Sequence, residues 1–94
     1  MSILVRFTGA PSVTREMYDE TVDRLEDDGP WPPDGLDYHV AFQGTDGSWR
    51  VSEIWDSREQ FEAFGERLMP ILSDVGIELA GEPEVLETHN IVRR

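Results

Sequence analysis

The chain has 94 residues, 38% hydrophobic and 30% charged, a composition that fits one small globular domain with a modest core. Twenty acidic residues against eight arginines give a formal charge of -12, which repels phosphate backbones and anionic lipid surfaces, so neither nucleic acid nor a membrane is an expected partner. Without cysteine there is no disulfide framework, thiol nucleophile or thiolate metal site, and with no apolar run long enough to span a bilayer the expected location is the cytoplasm.

Ile3 to Thr8 is β-rich and ends at Gly9, Ala10 and Pro11, so the N-terminus reads as a strand and not as a signal peptide. Thr14 can cap a helix whose apolar stripe is Tyr18, Val22 and Leu25; its other face is acidic, and Asp27-Asp28-Gly29-Pro30 ends it. Residues 27–35 form a stiff loop around Trp31, a large apolar group that must find cover. Leu36 to Gln43 alternates with period two, and Asp46-Gly47 marks a tight turn, so Trp49 to Trp55 is expected to fold back antiparallel.

Asp56 and Glu59 have the spacing of a capping box, and Phe61, Phe64 and Leu68 mark a second helix, kinked or restarted at Pro70 and closed by Gly76. A last strand is expected over Val85 to Val92, after a loop through Gly81 and Pro83. The order is β-α-β-β-α-β, a ferredoxin-like α+β domain over residues 1–94 with a four-stranded antiparallel sheet and two helices on one face.

The other face of such a sheet needs a cover, and it is the place to look for a site. Ile3, Val5 and Phe7 fit under the helices, which sends Arg6 to the open face. Placing Glu53 beside Arg6 allows the two charges to pair, and brings Trp49, Val51 and Trp55 with them. His39 joins that face if Tyr38, Val40 and Phe42 lie beneath the helices, and Glu87, His89 and Ile91 join it from the last strand. The expected site is therefore His39 as a proton-transfer group and Arg6 as an oxyanion partner, with Trp55, Glu53, Trp49 and His89 against the ligand. Trp55, Phe61 and Phe64 also read as core residues.

No metal is expected, since the histidines and Glu53 lack ligand spacing. The glycines sit singly at turns, so there is no phosphate-binding loop, and no G-x-S-x-G elbow is present.

The passage Val51-Ser52-Glu53-Ile54-Trp55-Asp56-Ser57-Arg58-Glu59-Gln60-Phe61-Glu62-Ala63-Phe64 resembles a signature of the dimeric α/β-barrel superfamily, of the antibiotic-biosynthesis-monooxygenase type. Gly35 to Val40, Leu68-Met69-Pro70 and His89-Asn90 extend the likeness to uncharacterised members. The resemblance implies a homodimer with its sheets face to face, a small aromatic or polyketide-like ligand, and oxygenase chemistry without a cofactor, with Trp55 as the position that maps onto the motif. A non-catalytic dimeric module is the alternative. A pocket of roughly 300 Å3 or more beside His39 would favour a ligand, and tryptophans filling the space would favour the structural role.

Overall fold

The computed structural model describes residues 1–94, and the six elements follow the expected order. They are β1 (Ile3–Thr8), α1 (Arg15–Asp28), β2 (Leu36–Gln43), β3 (Trp49–Trp55), α2 (Arg58–Val75) and β4 (Glu84–Glu87). All pairings are antiparallel, in the spatial order β2-β3-β1-β4.

Local sequence accounts for most boundaries. Thr14 accepts a hydrogen bond from the Met17 amide at 3.2 Å and starts α1 as expected. The start of α2 is shifted by one residue from the expected box: Ser57, not Asp56, is the cap, accepting from the Gln60 amide at 3.2 Å while its hydroxyl meets Gln60 Oε1 at 3.0 Å. Pro70 lies inside a continuous α2 and does not restart it. Gly76 ends it at φ 92°, its amide donating to the Leu72 and Ser73 carbonyls.

The last strand is shorter than expected, ending at Glu87 and not at Val92. Ile3 is the first residue of β1 and pairs with Glu87, so beyond the Thr88–Ser2 contact nothing remains for the chain to pair with. The tail instead brings Arg93 to Asp37, at the start of β2.

The core lies between sheet and helices. Ile3 and Val5 from β1, Trp55 from β3, Leu25 from α1 and Phe64 from α2 form one buried cluster, with Trp55 wholly excluded from solvent. Its ring packs on Phe61 at 5.8 Å and Phe64 at 5.4 Å between centroids. Removing a buried aromatic of this size costs about 3–5 kcal/mol.

Strand register fixes the faces, because residues directly opposite one another in an antiparallel ladder point the same way. Val5 pairs with Glu53, Phe7 with Val51 and Ile3 with Trp55, so these β3 residues lie under the helices with the apolar side of β1. His39 pairs with Glu53 and Ala41 with Val51, which puts His39 there too. The open face carries Leu4, Arg6 and Ser52, with Tyr38, Val40 and Phe42 from β2 and Leu86 from β4. The expected faces of β2, β3 and β4 are thus reversed, while that of β1 is correct.

Candidate functional site

Glu53 is the polar centre of the helix-side core, only 3% exposed. A carboxylate buried this deeply must have its lone pairs filled, or its desolvation would expel it. Two neighbours do so. Trp55, two residues along β3, donates its indole N–H to Oε1 at 3.0 Å, and His39 on β2 sets Nδ1 2.6 Å from Oε2.

The carboxylate can only accept, so it holds a proton on Nδ1 of His39. In the neutral imidazole, Nε2 is then a bare lone pair. Tyr18, reaching down from α1, fills it: its hydroxyl is 2.7 Å from Nε2, and the rings lie nearly parallel at 19°, with centroids 6.1 Å apart. Burial, reinforced by the charges of Glu53 and Asp19, pushes the Tyr18 hydroxyl above the 10.0 of free tyrosine and keeps it protonated. Trp31 closes the group from the α1–β2 loop, its edge against the His39 ring at 5.2 Å.

These groups sit in the wall of a cavity of about 90 Å3 between sheet and helices. Phe7, Val22, Leu25, Phe64, Leu68 and Leu72 supply much of its apolar lining. Trp49 lines it from β3, its ring under the Arg15 guanidinium at 6.0 Å. The arrangement sets one hydrogen-bonded chain, Glu53–His39–Tyr18, in the wall of a mostly apolar space that Thr21 and Arg50 also line.

The expected site residues therefore divide. His39, Glu53 and Trp49 do come together on the cavity wall. Trp55 is a core residue behind them and reaches the cavity only through Glu53. Arg6 is on the opposite face and does not pair with Glu53, and exposed His89 lies beyond β4. The buried carboxylate is met by an imidazole and an indole in place of the expected guanidinium, and β2 and β3 accordingly face the helices.

Two residues of the group were not foreseen. Tyr18 stands on the apolar stripe of α1, where a phenol reads as core; its signal was a hydroxyl on a buried face, which requires a partner. Trp31 was recognisable as a ring in need of cover, and His39 and Phe64 provide it.

The sequence matches no protein-family model and no curated protein. The structure, by contrast, superposes on several solved ones over nearly its whole length. Rv0793 from Mycobacterium tuberculosis is 18% identical with a TM-score of 0.66, covering 98% of this chain and 97% of that one. SnoaB from Streptomyces nogalater, a cofactor-independent oxygenase, is 14% identical with a TM-score of 0.62, over 99% and 96%. A protein from Deinococcus radiodurans provisionally assigned as an antibiotic biosynthesis monooxygenase is 12% identical with a TM-score of 0.61, over 100% and 98%.

The chain thus has the ferredoxin-like α+β fold of the antibiotic-biosynthesis-monooxygenase-like proteins. At these identities the likeness is one of backbone, and any activity must be argued from Glu53, His39 and Tyr18. No helix is long and apolar enough to cross a membrane.

Proposed function

We propose that this protein binds a compact ring-shaped small molecule in the cavity under its helices, as a homodimer, and that His39 backed by Glu53 takes up a proton from it. The observation that carries this reading is the 2.6 Å contact between His39 and Glu53 in the wall of a mostly apolar space. A base held in one tautomer by a buried carboxylate, beside room for an apolar ligand, is a common arrangement for proton abstraction. A cofactor-independent oxygenase needs such a step, since an ionised, electron-rich substrate can react with dioxygen itself. The oxygenase in this fold, SnoaB, adds weight to that use of the base.

The size of the cavity limits the ligand. A void of roughly 150 Å3 admits benzene, so at about 90 Å3 even one ring enters only if a side chain moves, and half-buried Trp31 is the candidate. A fused-ring polyketide would require a much larger opening. The volume falls well short of the roughly 300 Å3 expected of a ligand pocket beside His39, which supports a second reading, a non-catalytic dimeric module in which the same residues serve packing.

The homodimer is proposed from the open face. Tyr38 is 56% and Leu86 44% exposed there, beside Leu4, Val40, Phe42 and Ile54, and no element of the chain covers them. A second copy applied face to face would bury these side chains.

Thermal denaturation with a series of monocyclic and fused-ring hydroxyarenes tests the ligand reading, because a ligand of the folded state raises apparent stability. A rise with monocyclic compounds in wild type that shrinks in His39→Gln is expected. No rise with any ring compound would leave the packing module as the better account. Light scattering should give twice the 10.7 kDa chain mass.

A further inference from the structure

The direction of the hydrogen bonds along the buried chain decides what the cavity can recognise. Glu53 accepts at both oxygens, from Trp55 and from His39, so neither oxygen is a donor. With the imidazole in its neutral form, the ring proton is on Nδ1 and Nε2 takes the one proton Tyr18 has to give. The Tyr18 oxygen is left with lone pairs only, on a ring that lines the cavity.

From this we infer that Tyr18 is the residue that meets the ligand, and that it selects a ring bearing a donating hydroxyl over one that is purely apolar or only accepts. The inference rests on the reading of the cavity as a ligand site. An apolar ring leaves the Tyr18 oxygen without a donor, and a ring with only a carbonyl or ether oxygen sets one acceptor against another.

The same contact completes a path for a proton. The ligand O–H bond breaks as its proton passes to the Tyr18 oxygen, while the Tyr18 proton passes to Nε2. One O–H and one N–H bond form, no electrons are transferred, and the products are a ligand oxyanion and an imidazolium beside the Glu53 carboxylate. Tyr18 is in this sense a shuttle as well as a selector, and the charge left on His39 meets its counter-ion 2.6 Å away.

The chain contains two tyrosines, which makes the contact measurable. Protein labelled with 13C at the tyrosine Cζ should give two signals, and Tyr38→Phe, a change on the open face, assigns them. Phenol and toluene, nearly equal in shape, are the probes. Phenol is expected to bind about tenfold more tightly than toluene, the reverse of their hydrophobicity, because it alone satisfies the Tyr18 oxygen. It should also shift the Tyr18 Cζ signal more than toluene does, leaving that of Tyr38 in place. Equal binding of the two, or phenol bound with Tyr18 unmoved, overturns the inference while the ligand cavity stands. Failure of both to bind overturns the cavity reading as well.

Discussion

Glu53 Oε2 lies 2.6 Å from Nδ1 of His39 on the adjacent strand, and this contact sets the direction of the bond that continues from His39 to Tyr18. Glu53→Gln tests it. A glutamine amide has one accepting oxygen for two donors, so either Trp55 or His39 loses its partner unless the amide donates to Nδ1 and the imidazole proton moves to Nε2. Tyr18 would then accept from His39 and turn its own proton toward the cavity. Urea unfolding should show a loss of about 1–3 kcal/mol, the range for a disturbed buried hydrogen bond. Nitrogen-15 NMR of the His39 ring should report the exchanged tautomer; an unchanged ring with unchanged stability would contradict the assigned directions.

Arg67 supports the site from a distance. It projects from α2 to donate to the Leu25 and Pro30 carbonyls at 3.3 and 3.2 Å, and its Nε is 2.9 Å from Asp28, so one guanidinium caps α1 and holds the start of the Trp31 loop. The last turn of α1 has no basic residue of its own. Arg67→Ala should cost about 1–2 kcal/mol, with faster amide exchange over residues 29–35. Arg67→Lys should recover little, since an ammonium cannot span the three acceptors as a planar fork does. Exchange in the loop equal to wild type would show that it is held by other means.

Alkaline pH should reveal Tyr18. The folded chain holds its proton more tightly than the unfolded chain, so its contribution to stability is complete below the free value of 10.0 and is lost as pH rises through the higher folded value. Absorbance titration should show one tyrosine ionising late, and Tyr18→Phe should remove that late step. Two tyrosines ionising together near the free value would contradict the burial of this phenol.

Element order, the hairpin at Asp46-Gly47 and the Gly76 stop were legible because each rests on local chemistry: alternation, turn residues and caps. The faces of the sheet were not, because period two gives two sets of residues without saying which is inside. A single anchor then decides the whole strand. Pairing Arg6 with Glu53 gave the wrong anchor, whereas His39 and Glu53 were correctly put together, since both assignments moved as one. Tyr18 was hidden for a related reason: a tyrosine on an apolar stripe packs as a hydrophobe, and its hydroxyl gains meaning only when a strand far along the chain places His39 opposite. The length of β4 depended on where β1 begins, which no feature of residues 88–92 records.

On the proposed function, a ligand enters beneath the helices and not on the open face of the sheet. Amide and indole NMR shifts during a phenol titration measure this most directly. Shifts are expected at Tyr18, Trp31, His39 and Phe64, with Arg6, Tyr38 and Leu86 unmoved. Shifts gathered around Arg6 and Tyr38, or none at any phenol concentration the fold tolerates, would contradict the proposed function.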